Sequence, residues 1–479
     1  MKRGLGGLSE EVRMPWKRLA WSTLMLLGLI LGSCGESDLT PPPPGSPPAP
    51  PPPPPLPPPP LPALPSQQIA WLNQVIIPLT TDDPAAGSAD LDSLRAIIGQ
   101  ARVVALGEAT HGTHEFFRMK DRLLRFLVHE LGFNAFAIEA TWPEANRLDT
   151  YVRTGAGAPD SLLSGLYFWT WNTQEVLEMI QWIRNYNAAG GDVGFYGFDM
   201  QYPGMAIHNV RQFLATADPP AESEIAARMI CLAAFANDPR GQFPTTRYGS
   251  TDVAYRDQCH LDLQTVYDTL LQRRAAYEGA TTPAAFARAL QSARVAIQYE
   301  EMTSGRRSRD AAMAENALWL LDQLGPSGRI VLWAHNFHVS TLPGAMGQHL
   351  RAQLGGDLVN LGFGFTGGSF TAVRQSGTSF LGLQTLSVPG PTAYSYEHYF
   401  SSASVPLFLL DLRGRTLTSD TTSWLAGPRF FRSIGCCYDP DTPERYRYNA
   451  HLPDEFDLII YLRGTTPTTV LPYRPPSAF

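Results

Sequence analysis

The sequence contains little cysteine and none of the spacings that usually bind metal or carry redox chemistry. Only 5 of its 479 residues are Cys, and no two of them form a C-x-x-C pair. This argues against a zinc ribbon or a dithiol redox motif. In an oxidising compartment Cys231 and Cys259 could pair. The sequence leaves open whether they do so, or whether these two, Cys436 and Cys437 are all free thiols.

The sequence also lacks an excess of positive charge and several common catalytic motifs. Its formal net charge is −7 and it has no block of Lys and Arg, which argues against nucleic acid as the main partner. It contains no G-x-S-x-G, no H-E-x-x-H and no Walker loop. These absences argue against a serine hydrolase with a nucleophile elbow, a zinc protease of that motif and a P-loop enzyme.

Proline is abundant, but it is concentrated in one segment. Of the 42 Pro residues, 18 lie between Pro41 and Pro65, and proline usage elsewhere is ordinary. A run of this kind lacks backbone donors and fixes φ, so it predicts an extended polyproline II spacer. Hydrophobic residues make up 44% of the chain and charged residues 17%, which allows a sizeable core outside the spacer.

The N-terminal region has the pattern of a secretory signal. Basic residues between Arg13 and Arg18 precede an apolar run from Leu19 to Leu31, which is too short for a comfortable membrane-spanning helix. The sequence LGSC at the end of this run resembles the lipobox of bacterial lipoproteins, in which the Cys, here Cys34, is lipidated. An uncleaved signal anchor that happens to end in Cys is the alternative.

These features predict the order of segments along the chain. We expect a lipoprotein signal peptide over residues 1–33, a Pro-rich tether over 34–68 and one large domain over 69–479. The residue after Cys34 is Gly35, and resemblance to the sorting rule of Gram-negative lipoproteins then favours the periplasmic face of the outer membrane. The lipid on Cys34 would be the membrane contact. The true start could be Met1 or Met14.

From Ile69 onwards, short apolar runs alternate with helical patterns. Runs that are apolar throughout are typical of strands in a sheet covered on both faces. Residues 221–325 predict a helical lobe without strands. The expected fold class is α/β, with a central, mostly parallel sheet, flanking helices and this inserted helical subdomain. Strands are predicted at Arg102–Leu106, Ala135–Ile138, Val193–Gly197, Ile330–Trp333, Leu358–Gly362, Leu407–Leu412 and Phe456–Leu462.

Four of the predicted strands are followed by charged or imidazole side chains. The carboxyl ends of parallel strands meet at one edge of a sheet, where loops gather polar groups for ligand binding. We therefore expect these side chains to share a cleft. They are Glu108 and His111 after the first strand, Glu139 after the second, Asp199 after the third, and His335 with His338 after the fourth.

His111 is the strongest candidate for a catalytic base. Glu108 lies three residues before it on a Gly-flanked turn, and a neighbouring carboxylate raises the basicity of an imidazole and fixes its tautomer. The alternative is a structural His satisfied by a backbone carbonyl. Because the common nucleophile motifs are absent, the simplest hypothesis is hydrolysis by a His-activated water. A second imidazole or a cationic side chain would stabilise the oxyanion.

The other strand-end residues also have structural interpretations. Glu139 would be costly to bury alone, so it requires a cationic or imidazole partner, and a simple ion pair with Lys120 or Arg147 would satisfy it. His338 could pack or point outward. Asp199 could cap the helix that follows it or be a structural carboxylate.

Four motifs, in order along the chain, resemble the erythromycin esterase family and its wider group of esterase-like proteins. They are GEATHGTHEFF, FAIEA, SRDAAMAENALWLL and WAHNFHV. The resemblance runs from about Arg102 to Gly362. It implies hydrolysis of a carboxylic ester, in some members a macrolide lactone, with no cofactor and with a small-molecule ester as partner. Resistance to an antibiotic does not follow from the resemblance alone.

The resemblance also implies roles for individual residues. Lys120 stands where macrolide esterases often have Arg, so the charge is kept but the bidentate fork is lost. This departure affects anchoring or oxyanion geometry and argues against a strict macrolide assignment. Arg309, Asp310 and Asn316 match the signature of the helical lobe, with a structural or cleft-lining role expected. The remaining matches are His111 as general base, Glu108 as the essential carboxylate beside it, Glu139 as the second acidic residue, and His335 with His338 as histidines of the second site loop.

Two functions from different classes fit these residues. The first is an ester hydrolase that needs neither metal nor a covalent intermediate. The second is a surface-tethered protein that binds a metal or haem through the same His and Glu side chains. We favour the hydrolase. The sequence does not identify the physiological substrate or the oligomeric state.

Overall fold

The computed structural model describes residues 60–233, 235 and 248–474. The predicted signal peptide, the predicted lipidation site Cys34 and most of the predicted tether lie outside these residues. Helix α1 (Ser66–Val75) begins inside the predicted tether. Gln68 in this helix packs on the domain and donates to the Asp420 carbonyl. Within the described ranges, no helix is both long enough and apolar enough to cross a membrane.

A mostly parallel sheet of ten strands forms the centre of the protein, as the sequence predicted. A separate pair, β9 and β11, lies outside this sheet. The strands of both sheets, in chain order, are β1 (Ile77–Pro78), β2 (Val103–Leu106), β3 (Ala135–Thr141), β4 (Gly194–Asp199), β5 (Ile330–Trp333), β6 (Leu358–Ser376), β7 (Ser379–Val388), β8 (Leu407–Asp411), β9 (Arg429–Arg432), β10 (Cys437–Tyr438), β11 (Arg447–Ala450) and β12 (Leu458–Thr465).

The strand order places the four candidate loops side by side. The main path through the sheet is β1-β8-β12-β6-β2-β5-β3-β4, and β7 and β10 also pair with β6. Strands β2, β5, β3 and β4 pair in parallel, so their carboxyl ends lie at one edge. Strand β8 runs antiparallel to β12, which makes the sheet mixed.

Helices cover both faces of the sheet. In β2, Val103 and Ala105 belong to one apolar cluster, while Val104 and Leu106 belong to another on the opposite face. This alternation explains why the strand is apolar throughout. The helices after α1 are α2 (Ser93–Ile98), α3 (His114–Leu131), α4 (Trp142–Thr154), α5 (Pro159–Ser164), α6 (Gln174–Ala188), α7 (Gly204–Ala217), α8 (Pro219–Arg228), α9 (Ile230–Ala233), α10 (Val253–Gln272), α11 (Arg274–Ala280), α12 (Pro283–Thr303), α13 (Arg309–Gln323), α14 (Asn336–Val339), α15 (Met346–Leu354), α16 (Tyr396–Ser401) and α17 (Leu452–Glu455).

The helical lobe lies between β4 and β5. Between these two strands the described residues form helices and turns but no strand, in agreement with the lobe predicted over 221–325. A disulfide between Cys231 and Cys259 joins α9 to α10, so the pairing that the sequence left open is formed. Cys436 and Cys437 are free thiols.

The sequence missed the long hairpin of β6 and β7 and the short strands β9, β10 and β11. Strand β6 continues to Ser376, well past the predicted end at Gly362, and pairs antiparallel with β7. Most residues of β7 are exposed. Because no face of β7 is well buried, its sequence carries no continuous apolar run to reveal it.

Candidate active site

The loops that follow β2 and β5, together with the last residues of β3, bring the predicted imidazoles and carboxylates together; Glu139 lies within β3 rather than after it. The rings of His111 and His335 meet edge to face, with centroids 5.2 Å apart. The centroids of His335 and His338 are 6.4 Å apart. The three imidazoles therefore form a row along the edge of the sheet, with one carboxylate system at each end.

Glu108 lies at the first end of this row and is completely buried. Its Oε1 is 2.6 Å from His111 Nδ1. Its Oε2 accepts hydrogen bonds from Lys120 Nζ and, at 2.7 Å, from Trp333 Nε1. Burial alone would raise the pKa of Glu108, but Lys120 and His111 outweigh it and hold that pKa below its usual value. Glu108 is therefore an anion at neutral pH.

His111 is held in one orientation by this carboxylate. The Nδ1 proton is directed to Glu108, which leaves Nε2 as the basic nitrogen. No hydrogen bond to Nε2 occurs among the described residues, and the side chain is 15% exposed. Burial would lower the pKa of His111, but Glu108 and the more distant Glu139 raise it overall. This is the geometry and the electrostatics of a general base.

Lys120 reaches Glu108 from helix α3 and does not contact solvent. Its ammonium group lies over the rings of Trp333, Phe363 and Phe117, with distances to the ring centroids of 4.2, 5.5 and 5.7 Å. Burial lowers the pKa of Lys120 to about 8 despite the attraction of Glu108. Lys120 therefore contacts the site only through Glu108, and its ammonium group is not placed to meet a substrate directly.

His335 is the central ring of the row and both of its nitrogens are engaged. Nε2 lies 3.2 Å from the Ile434 carbonyl, and Nδ1 accepts from the Phe337 amide at 3.3 Å. Since a carbonyl only accepts, Nε2 carries the proton. Burial, together with the nearby His111 and His338, lowers the pKa of His335 to about 3. The ring is therefore neutral, and it lies between the other two imidazoles.

Glu139 forms the second end of the row and is shared by several donors. Its Oε1 accepts from Arg309 Nη2 at 2.7 Å and lies 3.3 Å from His338 Nε2. Its Oε2 accepts from the His335 backbone amide at 3.0 Å. Burial would raise the pKa of Glu139, but His338 and Arg309 keep it well below its usual value. Glu139 thus has the cationic and imidazole partners that its burial requires, in Arg309 and His338, while Lys120 pairs with Glu108 instead.

His338 lies between two carboxylates. Its Nδ1 is 2.8 Å from Asp310 Oδ1, and Nε2 faces Glu139. Burial opposes the charge, but Glu139 and then Asp310 raise the pKa of His338 to about 9. The ring is an imidazolium at neutral pH and does not point outward. The row of three imidazoles thus contains one base, one neutral ring and one cation.

Arg309 links the second end of the row to Asp199. Its Nε donates to Asp199 Oδ1 at 3.2 Å while Nη2 reaches both Glu139 and Asp199. Asp199 also accepts from the Met200 amide, which makes it a buried structural carboxylate. Arg309, Asp310 and Asn316 were expected to be structural or to line the cleft, and the first two contact site residues directly. Asn316 instead donates to the Phe198 carbonyl at 3.0 Å.

Other residues near the site were not predicted, or lie apart from it. Trp333 and Ile434 hold Glu108 and His335 but gave no polar signal in the sequence. His114 lies in the same loop as His111, yet its Nδ1 pairs with Glu175 at 2.6 Å, away from the row. Among the described residues, no group of three or more His, Cys, Asp or Glu is placed to hold a metal ion.

Comparison with protein families gives one clear match. The family model described as erythromycin esterase matches residues 128–465, which is more than half of the chain. The match includes Glu139, Arg309, His335 and His338. It begins after the loop that carries Glu108 and His111.

Individual relatives point the same way. Erythromycin esterase type II of Escherichia coli is 27% identical over 334 residues, which is 61% of this chain and 75% of that protein. A crystal structure of a Bacillus cereus protein aligns with a TM-score of 0.73 and 28% identity over 85% of this chain and 99% of the other. A mutant of the erythromycin esterase EreC in its open conformation has a TM-score of 0.63 and 18% identity, covering 80% and 96% of the two chains. At that identity the last similarity concerns the fold alone.

The buried Lys120–Glu108 pair leads to a stability prediction. Lys120→Met removes the cationic partner of the buried Glu108 carboxylate, so the free energy of unfolding should fall by about 3–5 kcal/mol. Adding Glu108→Gln to that variant removes the buried charge and should recover much of the loss. Urea denaturation of the wild type, the two single variants and the double variant measures the coupling. Additive effects of the two substitutions would contradict the ion pair.

Proposed function

The chain belongs to the erythromycin esterase family of hydrolases, and on that premise we propose that it hydrolyses a carboxylic ester by direct attack of water. The observation that carries the proposal is the Glu108–His111 pair, in which Nδ1 is held at 2.6 Å and Nε2 remains basic. A neutral imidazole with a buried carboxylate behind it can take a proton from water without first forming a covalent intermediate.

The proton path follows from the hydrogen bonds. His111 Nε2 removes a proton from a water molecule as the water oxygen bonds to the ester carbonyl carbon. The imidazolium that forms is stabilised by Glu108, which stays ionised because Lys120 and Trp333 donate to it. When the tetrahedral intermediate collapses, the bond from carbon to the alkoxy oxygen breaks. His111 returns the proton to the leaving alcohol.

We assign stabilisation of the oxyanion to Arg309. Its Nη1 lies 3.2 Å from His338 Nε2, and a protonated His338 cannot accept a hydrogen bond there. The side chain is 23% exposed, so this nitrogen has a donor to offer to a substrate. A fixed donor aimed at developing negative charge contributes more in the transition state than in the ground state.

The proposed substrate is a small-molecule carboxylic ester, with a macrolide lactone as one candidate. The support for the lactone is the similarity to the Escherichia coli erythromycin esterase. Because Lys120 is buried behind Glu108, replacing the Arg that is frequent in macrolide esterases does not remove a substrate contact. The difference at this position therefore does not argue against a macrolide.

A matched pair of variants tests the reaction. His111→Asn removes the base and should lower kcat/KM by about 10²–10⁴-fold. His114→Asn changes an imidazole in the same loop that pairs with Glu175 instead, and should leave the rate within a small factor of wild type. Erythromycin and a panel of simple esters are incubated with each protein, and mass spectrometry detects products that have gained one water. No turnover of any ester by the wild type would refute the function, and an active His111→Asn would refute the mechanism.

The pH dependence of the rate tests the role of Glu108. His111 works as a base only when deprotonated, so kcat/KM should rise with pH through its pKa, which Glu108 raises. Glu108→Gln removes that contribution, so the pKa of His111 should fall and the acidic limb should move to lower pH. The maximal rate should also fall, because the ring loses its orientation. A limb that stays in place in Glu108→Gln would show that another group controls it.

We also propose that the domain acts in the cell envelope, anchored by a lipid on Cys34 and carried by the Pro-rich tether. The support is the sequence pattern around Cys34, which lies outside the described residues. Cys34→Ser should abolish incorporation of labelled palmitate and move the protein from the membrane fraction to the soluble fraction. Unchanged labelling and fractionation would contradict the anchor.

A further inference from the structure

Two adjacent thiols lie beside the imidazole row and take no part in the proposed mechanism. The Sγ atoms of Cys436 and Cys437 are 2.7 Å apart, compared with about 2.05 Å in a bonded disulfide. Both residues are partly exposed free cysteines. They lie where the strand β10 joins β6, since the Val373 amide donates to the Cys436 carbonyl at 2.9 Å.

The segment that leads into these cysteines holds the site together. The Ile434 carbonyl accepts from His335 Nε2 at 3.2 Å, and the Ile434 amide donates to the Ala109 carbonyl at 2.7 Å. Gly435 lies beside His111, so that a Cβ at that position would be in ordinary van der Waals contact with the ring, at 3.9 Å. A shift of this backbone would therefore reach two of the three imidazoles.

We propose that Cys436 and Cys437 form a thiol modification site at which exchange with a small-molecule disulfide closes a bond between the two sulfurs and reversibly disturbs the active site. The formation of the bond does not depend on the proposed function. Its effect on the rate of ester hydrolysis does rest on that function.

The chemistry is two successive exchanges. The Cys436 thiolate attacks one sulfur of the small disulfide, forming a mixed disulfide and releasing one thiolate. The Cys437 sulfur, after losing its proton, then attacks the Cys436 sulfur and displaces the second thiolate. Two protein thiols are oxidised to one disulfide, and the small disulfide is reduced to two thiols. A small dithiol reverses both steps.

The surroundings favour Cys436 as the attacking group. A hydrogen bond from Cys437 lowers the pKa of the Cys436 thiol, and the nearby His111 lowers it further, against the opposing effect of burial. The thiolate is the reactive form in exchange. The same interaction supports the pKa of His111, so oxidation of Cys436 would remove a contribution to the basicity of the catalytic ring.

Closing the bond must move the backbone. Neighbouring Cα atoms are about 3.8 Å apart across a trans peptide, whereas disulfides usually span about 4.4–6.8 Å between Cα atoms. Since the peptide bond fixes this separation, ring closure has to be accommodated by the torsion angles of Cys436 and Cys437, and Ile434 and Gly435 are joined directly to them. Disulfides of unfavourable geometry are also readily reduced, which suits a reversible modification.

The test uses the full-length protein treated with oxidised glutathione or with dithiothreitol. Tryptic cleavage after Arg432 and Arg445 gives a peptide of residues 433–445, which contains both thiols and no other cysteine. After oxidation this peptide should have lost two hydrogens in the wild type. In Cys437→Ser the reaction should stop at a mixed disulfide with one glutathionyl group on Cys436.

Two readouts follow the effect on the site. Ester hydrolysis by the wild type should fall by about tenfold or more on oxidation, since a positioned base contributes about 10²–10⁴-fold, and should recover with dithiothreitol. The rate at which diethyl pyrocarbonate modifies His111 should also change on oxidation. This second readout does not require any ester to be a substrate.

The double variant Cys436→Ser, Cys437→Ser is the control. It keeps the Cys231–Cys259 disulfide, so any effect of dithiothreitol on that bond appears in it too, and both readouts should be insensitive to oxidation. If no ester is cleaved by the reduced wild type, the proposed function fails while the peptide mass and His111 reactivity still decide this proposal. Two free thiols after oxidation would overturn it. So would a closed disulfide with unchanged His111 reactivity.

Discussion

The buried ion pair between Lys120 and Glu108 is the contact on which the site depends. It joins helix α3 to the end of β2, and Trp333 at the end of β5 completes the set of donors. A carboxylate without these partners would be neutral in such a dry environment, and His111 would lose the group that orients it. The aromatic rings around the Lys120 ammonium keep water away from the pair. The apolar core therefore helps to hold the proposed catalytic pair in place.

The three imidazoles have different charge states because each has different neighbours. His111 faces one carboxylate and keeps a basic nitrogen, while the ring nitrogens of His335 face a carbonyl and an amide. His338 lies between two carboxylates. The neutral His335 ring separates His111 from the His338 cation, which limits the repulsion between them when His111 is protonated. Ile434 and Asp310 help to set these charge states, yet in the sequence they are far from the histidines that they contact. If only the three imidazoles were considered, without these neighbours, they would suggest a metal site.

Much of the fold and part of the site followed from the sequence. Strands buried on both faces leave continuous apolar runs, so β5 was predicted with its observed bounds, and the parallel order placed Glu108, Glu139 and His335 at one edge. What escaped prediction depends on contacts between distant segments. Arg309 and Glu139 are 170 residues apart in the chain. The thiols near His111 lie at the start of a strand of only two residues, with Cys436 just before it. Local patterns carry no information about such contacts.

The most direct test of this account is an NMR titration of His111 with ¹⁵N-labelled histidine, assigned by comparison with His111→Asn. We predict that neutral His111 carries its proton on Nδ1 and that its pKa lies above the ordinary value of about 6.5. In Lys120→Met, where Glu108 loses its partner, that pKa should change. A neutral ring protonated on Nε2, or a pKa at or below the ordinary value in the wild type, would contradict the central role of Glu108.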